Sequence, residues 1–312
     1  MFSKSSSNLI KRFLPFRWPS TNIGAGAIVS AFILMMLYAC NSGEAPEVIE
    51  SSTQPESDVE KEVKPNDEEE SVYYMLPSAL QIAHIFRKSG LKYYPDVTND
   101  PGNWSKYISE TSKLQNLGVY SADLCYVALN KQTQEELSCL KAMMDLSGDM
   151  GFSSVFSAAF VDRFERNIAN EDSMIVILAQ LQERLDFYLQ DAEMEDKSTI
   201  ILSGAWVESI YISLAGYRVE GDETGLSVRV HEQLYILKGL ISKLDAVWEP
   251  DEDVKTLISE LKTLLVIVEG FSFMKDVAKK EHVDVSKLTI SEMELKELMN
   301  KVDEIRAKIV NG

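Results

Sequence analysis

Apolar residues in the last third of the chain recur at steps of three and four positions, and this spacing restricts the fold that the chain can adopt. It runs through three stretches, whose apolar members are Val230, Leu234, Leu237, Ile241, Leu244 and Trp248, then Val254, Leu257, Leu261, Leu264 and Val268, and finally Leu295, Leu298, Val302, Ile305 and Ile309. Such steps place one narrow apolar seam on one face of an α-helix, which suits helices that pack at shallow angles. The short connection at 249–251 requires an antiparallel turn. The spacing therefore predicts an all-α, antiparallel helical bundle.

Helical patterning extends over nearly all of residues 71–312, which we predict to form the bundle domain. That region has no run of alternating β-branched residues bounded by turn dipeptides, as a strand would require. About ten helices are predicted, at 78–89, 103–117, 121–131, 133–148, 153–169, 171–193, 198–217, 226–248, 251–273 and 290–310. Three of their starts carry the spacing of a capping box, Ser78 with Gln81, Thr133 with Glu136 and Thr289 with Glu292.

The predicted helix 198–217 is apolar around nearly its whole circumference. We therefore expect it to be the most buried element of the bundle, and the small residues Ser203, Gly204 and Ala205 would allow another helix to approach closely. Its length also suits a membrane span, but Glu208 and several hydroxyl-bearing residues favour burial in a protein core.

The first 40 residues combine a basic segment with an apolar run. Residues 1–22 hold four basic residues and no acid, and an uncharged run of 17 residues, 23–39, ends in Leu37-Tyr38-Ala39-Cys40. This pattern resembles the signal peptide of bacterial lipoproteins, which implies removal of residues 1–39 and lipidation of Cys40, with palmitate among the attached chains. The alternative is an uncleaved membrane-spanning helix. Both interpretations place the remainder of the chain outside the cytoplasm, because the basic residues stay on the cytoplasmic side.

The resemblance also bears on location within the cell envelope. Lipoproteins retained at the inner membrane commonly carry an aspartate after the lipidated cysteine, whereas this chain has Asn41. In a host with two membranes we therefore expect the outer membrane, with the protein facing the periplasm or the cell surface.

Residues 40–70 are predicted to be the lipidated cysteine and a disordered acidic tether. The segment holds 11 acidic residues and two lysines, with too little apolar surface to offset the entropy of folding. The whole chain has a net charge of −18, which disfavours binding to nucleic acids and to anionic lipid surfaces. Membrane attachment is therefore expected through the N-terminal lipid alone.

Sequence motifs for catalysis or for metal binding are absent. The three histidines, His84, His231 and His282, are far apart in sequence and have no ligand spacing, so we predict no metal site and no cofactor. Neither a GxSxG elbow nor a glycine-rich phosphate loop occurs.

Three local features are the best candidates for a ligand site or a polar site in the core. The first is the segment 117–126. A helix that starts at 121 would place Asp123 in its first turn, where the positive end of the helix dipole favours a carboxylate. The second is a pair of arginines that could serve as counter-ions, and the third is Glu208, which we expect to be buried with Arg163, Arg166 or Arg218 as its cation. Together the candidates are Tyr120, Asp123, Tyr126, Arg163, Arg166 and Glu208. A structural role as a cap or an internal ion pair is the alternative for each.

Cys125 and Cys139 are the two cysteines beyond Cys40. If the chain turns back at 130–133, they lie opposite each other on neighbouring helices and within reach of a disulfide; if one helix runs through, about 21 Å separates them. A pair of buried thiols is the alternative.

Two hypotheses for function follow. The first is a non-enzymatic, lipid-anchored helical protein of the cell envelope that binds a partner protein or a small ligand. The second is an exported hydrolase or transferase whose site uses carboxylates and tyrosines. We favour the first, because an enzyme of this size usually carries a recognisable nucleophile, base or metal cluster. A pocket in which Asp123, Glu208 and an arginine converge would favour the second.

Overall fold

The computed structural model describes residues 92–220, 226–277 and 289–312, with side chains outside 216–229 and 276–288. Within these ranges the fold is an all-α bundle without strands, as predicted. The α-helices are α1 Glu110–Leu129, α2 Thr133–Asp149, α3 Ala158–Asn167, α4 Glu171–Asp191, α5 Glu195–Glu220, α6 Leu226–Leu244, α7 Glu252–Glu269, α8 Ser272–Val277 and α9 Glu292–Asn311. There are also two short 3-10 helices, Pro101–Lys106 before α1 and Ser153–Phe156 between α2 and α3.

Helices α1 and α5 form the centre of the bundle and pack along much of their length. They approach most closely at Gly118 of α1 and Gly204 of α5. A Cβ at Gly118 would lie 2.7 Å from the Ala205 nitrogen, and one at Gly204 would lie 2.8 Å from the Gln115 carbonyl carbon. Distances this short are sterically forbidden, so the two backbones can meet only because both positions lack a side chain. The close approach predicted for Gly204 is therefore confirmed.

Helix α5 is buried along its middle, as its all-round apolar pattern predicted. It is long and apolar enough to suit a membrane span by length and composition, but two thirds of that window, 67%, is buried inside the bundle. Helices α1, α4, α6 and α9 all pack against it. The helix therefore forms a shared wall between several parts of the core.

The apolar seams of α6, α7 and α9 face the core, with one exception. Helix α6 ends at Leu244, four residues earlier than predicted, and Trp248 is 81% exposed in the connection that follows. Its backbone N–H donates to Asp196 Oδ2 at 3.1 Å. The three-and-four spacing of apolar residues continues in the sequence beyond Leu244, where the helix ends. The prediction that Trp248 belongs to the apolar seam of this helix was therefore wrong.

Several other helix boundaries differ from the sequence predictions. One continuous helix, α1, replaces the two predicted at 103–117 and 121–131, because Gly118 is a packing position and not a break. Conversely, the predicted helix 251–273 ends at Glu269, and α8 begins after Gly270. The predicted helix 153–169 consists of a 3-10 helix followed by α3.

The capping predictions were wrong by one or two residues. At α9 the capping box is formed by Ser291 and Glu294, whose carboxylate accepts from the Ser291 N–H at 2.9 Å, and not by Thr289 and Glu292. At α2 the N-cap is Gln132, which makes no side-chain capping bond. The predictions for Cys40, the tether and the helix at 78–89, including Ser78 with Gln81, lie outside the described residues.

Candidate functional site

A buried ion pair joins α5 and α9. The side chain of Glu208 is fully buried, and Arg306 donates to both of its oxygens, from Nε at 2.8 Å and from Nη2 at 2.9 Å. Arg306 also donates from Nη2 to the Val97 carbonyl at 3.3 Å, and its guanidinium lies 4.0 Å from the centre of the Tyr211 ring. Burial alone would lower the pKa of Arg306, but the attraction of the Glu208 carboxylate is the stronger influence. The pKa of Arg306 is therefore raised above its usual value. The bidentate geometry is that of a strong charge-assisted pair.

Asp123 of α1 adds a second buried carboxyl to this pair. Its Oδ2 accepts from the Asn99 N–H at 3.1 Å, and the carboxyl group contacts that of Glu208. Oδ1 meets no donor in the part of the chain that the structure describes. Burial and the neighbouring Glu208 raise the pKa of Asp123 well above its usual range, although Arg306 acts in the opposite direction. Because Arg306 pairs directly with Glu208, the raised pKa favours the protonated form of Asp123.

Asparagines and tyrosines complete what we call the polar cluster. Asn99 Nδ2 donates to the Tyr107 hydroxyl at 2.8 Å, and Asn116 Nδ2 donates to the Ile309 carbonyl at 2.8 Å. The Tyr120 hydroxyl donates to the Asp100 carbonyl at 2.9 Å. Burial raises the pKa of both tyrosines, which are therefore neutral. The members of the polar cluster are Asn99, Tyr107, Asn116, Tyr120, Asp123, Glu208 and Arg306.

The polar cluster is closed to a substrate. Asp123 and Glu208 have no exposed surface, and the Arg306 side chain is only 14% exposed. Arg306 and Glu208 neutralise each other, Asn116 bonds to a backbone carbonyl, and Asn99 bonds to the Tyr107 hydroxyl. Such an arrangement ties α1, α5, α9 and the segment before α1 together, but it offers no group to a reacting molecule. No three metal-ligating side chains come together in the described ranges.

The structure brings only some of the sequence-predicted residues together. Asp123, Glu208 and Tyr120 belong to the polar cluster. Tyr126 lies apart, where its hydroxyl accepts from the Tyr94 N–H at 2.7 Å. Asp123 lies in the middle of α1, so the predicted first-turn role was wrong.

The predicted arginines lie elsewhere. Arg163 and Arg166 are exposed on α3, where Arg163 donates to Gln180 and Arg166 pairs with Asp162 at 2.8 Å. Neither contacts Glu208, so the prediction of its cation was wrong for both, and Arg218 lies outside the described side chains. The missed cation is Arg306, which lies next to Ile305 at the edge of the apolar seam of α9. The sequence did contain one indication of this role, since Arg306 directly follows a residue of the apolar seam.

The two cysteines are buried thiols on α1 and α2 and are not joined in a disulfide. The chain does turn back between these helices, at residues 130–132. Burial raises the pKa of the Cys125 thiol to about 12, and raises that of Cys139 well above its usual range. Both are therefore protonated and chemically quiet. The bridge remains a prediction for protein taken from an oxidising compartment.

A third buried acid, Glu136 of α2, has a different environment. It has no exposed surface, and neither carboxylate oxygen has a hydrogen-bond partner within the described ranges. Burial raises its pKa from 4.5 to about 7. The residue was predicted to form a capping box with Thr133; because it points into the protein, it cannot do so.

An apolar cleft lies on the other side of α5, between α5, α6, α7 and α9. It opens to solvent on one side, and the space within it, open solvent included, is about 550 Å³. Two of its residues, Ser213 and Gln233, carry an uncharged polar group, Trp206 carries an indole N–H, and the others are aliphatic. The lining residues are Trp206, Ile210, Ser213, Leu214, Val230, Gln233, Leu234, Leu237, Leu264, Val268 and Leu298. We refer to this set as the apolar cleft; the apolar spacing of the sequence had indicated only that its aliphatic members belong to the core.

Comparison with protein-family models, with curated proteins and with solved structures finds no match to this chain.

Proposed function

We propose that this chain is an exported, lipid-anchored helical protein of the bacterial cell envelope that binds an apolar ligand without transforming it. The lipid anchor is inferred from the basic and apolar segments that end at Cys40. Binding is inferred from the apolar cleft, because mostly apolar clefts with a few polar groups are the usual form of small-molecule sites.

The apolar cleft is the observation that carries this proposal. Its aliphatic walls come from four helices, whereas Asp123 and Glu208, the acids proposed for an enzyme, are buried within the polar cluster. A catalytic acid or base has to reach the proton that it transfers. Asp123 and Glu208 are sealed from solvent, so the enzyme hypothesis is the weaker of the two.

Lipid attachment is tested with labelled palmitate in a bacterial host. The wild-type chain is expected to incorporate the label, and Cys40→Ser is expected to lose it and to accumulate as a slower-migrating precursor. Labelling of the Cys40→Ser chain would contradict the anchor.

Ligand binding is tested by native mass spectrometry of the full-length protein released from envelopes. We expect co-purifying apolar molecules on the wild type and a strong reduction with Val230→Trp, which fills the rim of the apolar cleft. An equal load on both proteins, or none on either, would contradict ligand binding in the cleft.

A further inference from the structure

Glu136 of α2 is a buried acid whose carboxyl group has no hydrogen-bond partner among the described residues. The residue has no exposed surface, and neither Oε1 nor Oε2 meets a donor. Glu208 is equally buried, but Arg306 donates to both of its oxygens. Burial removes the hydration of a carboxylate, and at Glu136 no hydrogen bond replaces it. The protein therefore accommodates Glu136 better as the neutral acid than as the carboxylate.

The first turn of α2, residues 133–136, is weakly fastened. Gln132 is its N-cap residue, but the Gln132 side chain donates to the Asn130 carbonyl at 2.7 Å and makes no capping bond to the helix. Lys131, in the preceding turn, has a left-handed backbone with a φ of 58°, which is unfavourable for a residue with a Cβ. An uncapped helix end beside such a turn is a place where a helix opens at low cost.

The start of α2 also holds the segment that leads into the bundle. The Tyr93 hydroxyl donates to Oε1 of Glu135, the residue before Glu136. The Tyr93 ring stacks on that of Tyr126 in α1 with 5.9 Å between centroids, and the Tyr94 N–H donates to the Tyr126 hydroxyl at 2.7 Å. Opening of the first turn of α2 would therefore break the contact to Glu135 and leave the contacts to α1.

We propose that Glu136 is a pH-sensitive latch: the first turn of α2 stays closed while this carboxyl group is neutral, and it opens when the carboxyl group ionises, which releases Tyr93 from Glu135. The open form gives the carboxylate the water that the closed form denies it. Burial raises the pKa of Glu136 from 4.5 to about 7. The closed turn is therefore most stable below pH 4.5 and loses stability as pH rises to about 7.

Other titratable and charged groups lie on α2, beside it or on elements near it. They are Tyr93, Lys106, Tyr120, Asp123, Cys125, Tyr126, Lys131, Glu135, Cys139 and Glu208. The 3-10 helix Ser153–Phe156, which also packs against α2, carries no titratable side chain. Burial raises the pKa of the tyrosines and thiols in this set, which keeps them protonated at neutral pH. Asp123 needs a control of its own, because it is a buried acid with a raised pKa.

Hydrogen–deuterium exchange of the full-length protein, measured by mass spectrometry, tests the latch. Peptides that cover 131–138 and 92–96 are compared at pH 6 and pH 8, after correction for the intrinsic exchange rates. In the wild type we expect the protection of 131–138 to fall about 10-fold between these pH values, because the closed form binds the proton of Glu136 more tightly than the open form does. Exchange of 92–96 should rise in parallel. A peptide from the middle of α5 should stay protected over the same minutes at both pH values.

Glu136→Gln is the decisive variant, because it keeps the size of the side chain and removes its ionisation. Protection of 131–138 should then change less than about 2-fold between pH 6 and pH 8. Glu136→Met removes the polar group as well, and should give the same result if a buried amide proves too costly for folding. Melting curves at pH 6 establish that each variant is folded.

Two controls separate Glu136 from its neighbours. Glu135→Gln is the matched variant one position earlier, and it keeps an oxygen that accepts from Tyr93. Asp123→Asn removes the other buried acid with a raised pKa. Both variants should retain the change of about 10-fold between pH 6 and pH 8.

Each of the other outcomes overturns the latch. Equal protection of 131–138 at both pH values in the wild type would do so, as would a pH dependence that persists in Glu136→Gln and Glu136→Met or is lost in Asp123→Asn. Unchanged exchange of 92–96 would overturn the release of Tyr93, and equally fast exchange of the α5 peptide would mean that the whole bundle opens. The latch does not rest on ligand binding, since none of the described residues that line the apolar cleft belongs to α2.

Discussion

Helix α5 borders two regions of opposite construction. On one side, the polar cluster buries an arginine and two carboxyls, and each charged group is neutralised by another. On the other side, the apolar cleft is lined by aliphatic side chains and by one buried amide, Gln233, which accepts from the Trp206 indole N–H at 3.0 Å. Polar groups that pair within the fold stabilise it, whereas an apolar surface that faces a cleft is available to a ligand. Burial alone does not distinguish the two regions; the chemistry of the side chains that line them does.

The largest effect is expected from Glu208→Gln. Removing the negative charge leaves the buried Arg306 without its counter-ion, which should lower the free energy of unfolding by about 3–5 kcal/mol. Chemical denaturation at neutral pH measures this loss.

Asp123→Asn is the matched control for that measurement, since it makes the same acid-to-amide change in the neighbouring carboxyl. An asparagine still donates to Glu208 and accepts from Asn99, so the loss should stay below about 1 kcal/mol. The raised pKa of Asp123 also predicts how stability changes with pH. Above pH 3.8, the ordinary pKa of an aspartate, the unfolded chain loses this proton before the folded protein does. The free energy of unfolding of the wild type therefore falls relative to that of Asp123→Asn as pH rises. Equal losses in the two variants would contradict the assignment of the proton to Asp123.

The next largest effect is expected where α1 and α5 approach most closely. Gly118→Ala should cost about 3 kcal/mol, because the new methyl group meets the backbone of α5 and the helices must move apart. Gly148→Ala on α2 is the control: its Cβ would lie 3.8 Å from Ser153 Oγ, an ordinary contact, and the better helix propensity of alanine should stabilise slightly. Thermal unfolding of both variants decides the matter, and tolerance of Gly118→Ala would show that the crossing is loose.

Glu136→Gln is expected to have an intermediate effect, and to stabilise the protein where Glu208→Gln and Gly118→Ala destabilise it. Its pKa is raised to about 7 in the folded state, so the unfolded chain releases this proton first, and the free energy of unfolding falls as pH rises from about 4.5 to about 7. Glu136→Gln should remove this fall and be more stable than wild type at pH 8 by about 1–2 kcal/mol.

Denaturation between pH 4 and pH 8 provides that comparison. The exposed Glu183→Gln on α4 should leave the pH dependence unchanged. An unaltered pH profile in Glu136→Gln would mean that the carboxylate is solvated.

The smallest effect is expected in the apolar cleft. Val230→Ile adds one methyl group to a half-buried position that faces open space, so it should stabilise the protein by about 0.5 kcal/mol at most. The same small enlargement at Gly118 is predicted to be severe. A loss above 1 kcal/mol for Val230→Ile would show that the apolar cleft is packed like the rest of the core.

Local periodicity was sufficient to predict the fold class. Helices α6, α7 and α9 follow the apolar spacing, and burial of α5 followed from its all-round apolar surface. Helix ends were harder. Gly118 resembled a break because a glycine weakens a helix, and only the neighbouring helix reveals that its missing side chain is required.

The candidate site was predictable for single residues and not for their partners. Glu208 stood out as a lone acid in an apolar helix, and its burial is confirmed. Arg306 follows it by 98 positions, and Asn99 precedes Asp123 by 24. Which side chains meet depends on how helices distant in sequence are placed, and no spacing within one helix contains that information. The same limit hid the apolar cleft, which four helices form together.

The ion pair also bears on the order in which the core can close. Synthesis delivers a polypeptide in sequence, and Glu208 precedes Arg306. Until α9 arrives, the central helices can associate only by burying a Glu208 that lacks its cation. The unpaired charge opposes early burial and keeps the core open. Docking of α9 therefore completes the interior, because Arg306 supplies the missing counter-charge.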